Sequence, residues 1–254
     1  MPTWRGYSPS FRIIDIHAHY GQWPFPISIQ SLEDIEELMC KNNITYCFLS
    51  SSLAITYDFV MGNAELMDAI KGRKGFKAYI VVNPNYPSLS QKEIDKYLCK
   101  REVVGLKIHP VYTGRPLDDP VVIELIKYSW RKCPKPILLH TWGREGVEAA
   151  AKLSSSLPRV VLILGHMGGP LHWPAAAELA REREGVYLEI CSSTLPPGRI
   201  KEAVRIAGVE KVLFGSDLPL LNPAFVLGDR LSSSLSREEL ERVLYLNASS
   251  LFAM

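Results

Sequence analysis

The sequence has no Cys-x-x-Cys pair, and its five cysteines (Cys40, Cys47, Cys99, Cys133 and Cys191) are odd in number and widely spaced. That pattern excludes a disulfide-stapled scaffold, and free thiols in a reducing cytoplasm are expected. No stretch approaches the roughly 18–20 apolar residues of a membrane span. The opening MPTWRGYSPSFR lacks the apolar run of a secretory leader. Neither sign of charge dominates: 29 Lys and Arg against 27 Asp and Glu leave a net +2. Such a balance offers no footprint for nucleic acid or an anionic membrane. Also missing are low-complexity tracts, Pro- or Gly/Ser-rich linkers and any Gly-x-Gly-x-x-Gly loop. The expected partner is a small-molecule substrate, with a homodimer left open.

What is present is ordinary globular composition, 47% hydrophobic and 22% charged over 254 residues. That length suits a single α/β barrel spanning 1–254. Short apolar runs recur at Phe11–His17, Ile44–Ser50, Phe76–Val82, Val103–His109, Pro136–His140, Val160–Gly165, Val186–Cys191 and Lys211–Gly215. Most are continuous in apolar residues and not alternating, as parallel strands covered on both faces require. Helix-like segments separate them. Ser31–Asp34, Ser90–Glu93 and Ser236–Glu239 each resemble a capping box, and Leu240, Val243 and Leu244 form an apolar stripe at helical spacing. Eight strands alternating with helices predict a (β/α)8 TIM barrel over its rival, a doubly wound open sheet.

Five of the six histidines (His17, His19, His109, His140 and His166, but not His172) fall at or just past a strand's C-terminal end. In an α/β barrel that is the catalytic face. His17 and His19 are two apart on a strand, so both imidazoles point to one side and can converge on a cation. Random placement of six histidines gives only about 0.14 such pairs. His140 and His166 end apolar strands, with Gly165, Gly168 and Gly169 around the latter. Asp217 follows Val-Leu-Phe-Gly-Ser, where helix N-capping is the structural alternative. Lys107 and His109 share a face of the fourth strand, and an inward lysine is costly unless it is paired, modified or bound to an anion. Glu189 is expected to support the site and Cys191 to pack. Trp23, Tyr57, Trp142, Arg144 and Trp173 lie in or near the loops after strands. Of these, Trp23, Trp142 and Arg144 are the candidate substrate contacts.

The series DIHAHYG (15–21), GLKIHP (105–110), LLHTWG (138–143), LGHMGG (164–169), LEICSS (188–193) and LFGSDLP (213–219) resembles the amidohydrolase superfamily. Within it, the amidohydrolase-2 branch, which includes aminocarboxymuconate-semialdehyde decarboxylase, is the most similar. The resemblance implies a (β/α)8 barrel and a divalent transition metal held by His17, His19, His140 and Asp217. It also implies that His166 positions or polarises water or substrate. Lys107 stands where dinuclear members carry a carboxylated lysine that bridges two ions, and His109 beside it is a bridging or substrate-binding candidate. The chain is shorter than the decarboxylases of the branch.

Three imidazoles and a carboxylate form a mixed N/O set suited to zinc, with one ion expected and two left open. Metal-activated water, with Asp217 as proton acceptor and His166 at the developing oxyanion, would hydrolyse an amide, ester or lactone. This metal-dependent hydrolase is the leading expectation. The alternative is a non-oxidative decarboxylase of an aromatic or unsaturated acid. A nuclease is disfavoured by the charge balance and by Lys107, and a catalytically inactive metal-binding barrel by the intact histidines.

Overall fold

The computed structural model describes residues 11–29, 31–191, 198–228 and 235–254. One sheet contains β1 (Ile13–Tyr20), β2 (Ile44–Ser51), β3 (Phe76–Val81), β4 (Val103–Ile108), β5 (Ile137–Trp142), β6 (Leu162–Gly168), β7 (Val186–Glu189) and β8 (Val212–Leu213), in sequence order. All seven neighbouring pairs are parallel. Backbone bonds close the seam between β8 and β1: Ile16 N–H donates to the Phe214 carbonyl at 3.0 Å and Asp217 N–H to the His17 carbonyl at 2.8 Å. The architecture is the expected (β/α)8 barrel. Among the described residues no helix is long and apolar enough to cross a membrane.

All eight expected strands are present, but the last two are shorter than the apolar runs suggest. Side chains divert their amides: Glu189 accepts the Cys191 N–H, and Asp15 accepts the Ser216 N–H. The Ser31 and Ser236 capping boxes form as expected. Ser90 does not cap. Its helix starts earlier, as Pro87–Tyr97, with proline in the first turn where a fixed φ is favourable. The Ser90 hydroxyl instead donates to the Asn83 carbonyl at 2.8 Å and accepts the Asn83 N–H at 3.0 Å, tying the helix to the loop after β3.

Inside the barrel Ile14, Ile16, Phe48, Tyr79, Val104, Leu138, Ile163 and Leu213 pack together, while a larger set fills the layer between strands and helices. A bulge in β1 decides what faces the barrel's catalytic end. Asp15 pairs with Cys47 and Ala18 with Leu49, so β1 carries one extra residue there. Below the bulge Ile14 and Ile16 point inward; above it His17 and His19 do.

The segment Asn247–Leu251 and Phe252 close the opposite end. Phe252 packs edge-on to Phe48 at 4.9 Å, and the buried Asn247 amide donates to the Val209 and Val212 carbonyls at 2.7 and 2.8 Å. Removing that amide strands two acceptors. Asn247→Ala is expected to lower unfolding stability by about 1–3 kcal/mol, seen as a lower urea midpoint with an unchanged m-value. An unchanged midpoint would show that the amide contributes nothing to the seal.

Candidate active site

His17 is fully buried, and its Nδ1 lies 2.7 Å from Glu189 Oε2. His19 Nδ1 lies 3.2 Å from Ser50 Oγ, whose own hydroxyl faces the Ala18 carbonyl. The Glu189 carboxylate accepts the Nδ1 proton of His17 and turns its Nε2 toward the pocket, while Ser50 holds the His19 ring so that its Nε2 faces the pocket too. His19 Nε2 is 3.0 Å from Asp217 Oδ1, and His17 Nε2 is 3.7 Å from the same oxygen. Lys107, also fully buried, brings Nζ to 2.8 Å from His17 Nε2.

Glu189 ties three strands together. Its carboxylate accepts from the His17 ring, from the His166 backbone N–H at 3.1 Å and from the Cys191 N–H. Two glycines make room for this packing. A Cβ on Gly215 would stand 2.7 Å from the His17 Cβ and would clash with Glu189 Oε1; one on Gly165 would lie 3.4 Å from the His17 ring. Asp15 joins β1 to the segment after β8, accepting from Ser216 N–H and from the Ser216 hydroxyl. Burial pushes its carboxyl up to about 7, against the opposing pull of these hydrogen bonds.

His166 Nδ1 sits 3.3 Å from the Cys191 carbonyl and 3.2 Å from Cys191 Sγ, while Nε2 faces His140 Nδ1 at 3.1 Å. His140 in turn stacks on His109, with centroids 3.9 Å apart. His166 and Asp217 both hold positive φ, +64° and +62°. Non-glycine residues adopt that region at a cost, typically where function constrains the backbone.

Burial pushes the ring pKa values of His17, His19, His109 and His140 below the ordinary histidine value, that of His109 to about 2. Burial would raise Asp217, but the hydrogen bond from His19 and the surrounding imidazoles bring it down to about 2. Burial lowers Lys107 to about 8, with Asp217, Cys191 and Glu189 opposing. Near pH 7 the site therefore offers neutral rings at His17, His19, His109 and His140, an ionised Asp217 and a largely protonated Lys107.

This donor set fits a divalent cation. Tetrahedral ligands at about 2.0–2.1 Å are separated by roughly 3.3–3.4 Å, and the 3.0 and 3.7 Å separations around Asp217 bracket that value. Donor atoms of His17, His166, Cys191 and Asp217 also lie within 4.8 Å of one another. His19 and His140, both expected as ligands, lie outside that group but line the same pocket, and His140 Nδ1 faces His166. Lys107 contends with any cation for the His17 Nε2 lone pair.

A cavity of about 300 Å³ opens above these groups, with Trp23, Trp142, His109, Leu220 and Leu221 in its walls. Trp23 is buried, edge-on to His19 at 5.0 Å, and Trp142 forms a half-exposed lip over Gly169 and His166. Arg144 is not among the residues lining the cavity. Its side chain is 77% exposed and pairs with Glu148 at 2.7 Å along its own helix, whose first turn directs it outward. Tyr57 is 87% exposed, and Trp173 is buried in the helix layer. Cys191, expected only to pack, touches both His17 and His166. Ser50, which holds His19, lies in no motif, and Ser216, which holds Asp15, lies inside LFGSDLP without being singled out there.

The chain belongs to the amidohydrolase family Amidohydro_2, whose model matches residues 57–254. Compared by sequence with curated proteins, it has no significant match. Solved structures share the fold. A dihydroxybenzoic acid decarboxylase from Polaromonas, with bound manganese and 2-nitroresorcinol, superposes with a TM-score of 0.74 at 16% identity, covering 96% of this chain and 97% of that one. A 5-carboxyvanillate decarboxylase from Novosphingobium aromaticivorans, also with manganese, gives 0.76 at 14%, covering 98% and 99%. An uncharacterized TIM-barrel protein from Bordetella bronchiseptica gives 0.75 at 15%, covering 96% and 99%.

Glu189 orients His17 without facing the pocket itself. Glu189→Gln is expected to weaken manganese or zinc binding about 10–100-fold, measured by titration calorimetry, while circular dichroism stays native. Wild-type affinity in the variant would show that His17 is oriented by other contacts.

Proposed function

We propose that this protein is a metal-dependent carboxy-lyase that removes carbon dioxide from an aromatic or unsaturated carboxylic acid, without oxygen or an organic cofactor. The observation that carries the reading is the fully buried Lys107 at the floor of a pocket walled by Trp23 and Trp142. A buried ammonium is costly unless an anion meets it. The aromatic walls favour a planar partner. Trp23 Nε1 and His109 Nδ1 are buried without hydrogen-bond partners among the described residues, so polar substituents on the ring would be satisfied there. The two decarboxylases that share the fold support decarboxylation over hydrolysis.

His17, His19 and Asp217 would hold the ion, with His166, Cys191 and His140 around them. Zinc suits the nitrogen and carboxylate donors, and manganese occupies the two decarboxylase structures. When bound, the ion supplies positive charge that polarises substrate oxygens. Lys107 draws the anionic acid into the pocket, and the tryptophans hold its ring flat. The carbon–carbon bond to the carboxylate breaks, its electron pair stays on the ring carbon, and a proton takes its place. Asp217 is held ionised; His166, steadied at Nδ1 by the Cys191 carbonyl, would take up a proton from solvent water at Nε2 and pass it to that carbon. Neutral carbon dioxide has no hold on Lys107 and departs.

Metal content by plasma mass spectrometry, beside carbon dioxide release from 2,6-dihydroxybenzoate and 5-carboxyvanillate, tests the reading. Wild type is expected to carry about one equivalent of divalent metal and to release carbon dioxide; His17→Ala/His19→Ala is expected to do neither. Turnover of esters, amides or lactones with no carbon dioxide from any aromatic acid would replace the lyase by a hydrolase. Lys107→Met is expected to keep the metal and lose about 100-fold in kcat/KM, the scale of one buried charged contact. Loss of metal in that variant would place the lysine in a bridging role instead.

A further inference from the structure

A second cavity, of about 320 Å³, adjoins the first. The two share His140 and Trp142, so the Trp142 lip is a partition between lobes and not the outer edge of a single pocket. The second lobe lies between the segment 110–117 and the helix Gly143–Ser156. Its lining is mostly apolar: Pro110, Val111, Pro116, Leu117 and Ala149, with Arg115 and Glu145 as the charged members. Arg115 is already engaged, donating through Nε to Asn85 Oδ1 at 2.8 Å and through Nη1 to Asp119 at 3.0 Å. Glu145 is exposed and of opposite sign. The lobe therefore makes no demand for a second anion. Val111 is 70% exposed at its mouth, while Leu117 and Ala149 are buried at its back.

The geometry points to an acid built in two parts: a planar carboxylate-bearing ring beside Lys107, and an uncharged apolar substituent that passes Trp142 into the second lobe. We infer that this lobe is the subsite that selects among aromatic acids. The inference rests on the reading of the first cavity as the acid-binding site. Space is sufficient for a ring-sized arm, since an apolar cavity of about 150 Å³ holds a benzene. Ala149 and Val111 set its depth and its mouth. A larger residue at 149 fills the lobe, and a charge at 111 makes it hostile to an apolar group.

Binding of 2-hydroxybenzoate and of its 3-, 4- and 5-phenyl derivatives to the full chain, measured by titration calorimetry with and without manganese, tests this. At least one phenyl derivative is expected to bind wild type about tenfold or more tightly than the parent, from burial of the added ring. Ala149→Leu and the exposed-site variant Val111→Asp are each expected to abolish that preference, read as the ratio of the two affinities. Equal binding of parent and derivatives to wild type would overturn the subsite, as would a preference untouched by both variants. The readout does not depend on turnover. A phenyl preference without carbon dioxide release would retire the lyase reading and keep the subsite. Carbon dioxide release without a phenyl preference would do the reverse.

Discussion

The carboxylate of Glu189 is the contact on which the site depends. It receives the His17 ring from β1, the His166 amide from β6 and the Cys191 amide just beyond β7. Three segments from different parts of the barrel are thus registered to one buried anion. The hydrogen bond to His17 Nδ1 also sets the tautomer, leaving Nε2 free to face Asp217 and Lys107. Without that anion, β7 would gain a regular end and the site would lose its fixed imidazole. The shortness of β7 is part of the same arrangement, because the amide that would extend the ladder is bonded to the side chain.

Charge balance in the pocket follows from burial. Removing imidazoles from water keeps them neutral, which is the form that donates a lone pair. Clustered imidazoles around Asp217 do the opposite to a carboxylate and keep it ionised. Lys107 is the member that burial does not neutralise near pH 7. Its ammonium claims the same His17 lone pair as any ion bound there, so lysine and cation compete at one end of the pocket. A substrate anion resolves the conflict, because it can engage the lysine and draw it off the imidazole.

Much of this was legible in the sequence because parallel strands leave a strong trace. Short apolar runs mark all eight strands, and function sits at their ends, so His17, His19, Lys107, His166 and Asp217 could be picked out by position. The β1 bulge left no such trace. Alternation puts His17 and His19 on one side, but only the extra residue between Asp15 and Ala18 turns that side inward while Ile14 and Ile16 also face in. Arg144 lies outside the cavity for a related reason. Proximity to a strand end says little about direction, and the first turn of the following helix points the side chain to solvent. Ser90 fits a capping pattern, yet Pro87 starts the helix a turn earlier.

Backbone strain at His166 and Asp217 connects fold to chemistry. His166 lies near the end of β6 and Asp217 just beyond β8, and each bends into the left-handed region there. A regular exit would carry the next side chain up and away from the axis. The sharp turn keeps the His166 ring against Cys191 and the Asp217 carboxylate against His19, where separate strands must meet within hydrogen-bonding distance. The barrel supports that strain because its interior is filled below the site by Phe48, Tyr79, Leu138 and Ile163, so the strand ends cannot relax inward. The same packing that makes the lower half inert holds the upper half in a conformation that its residues would not adopt alone.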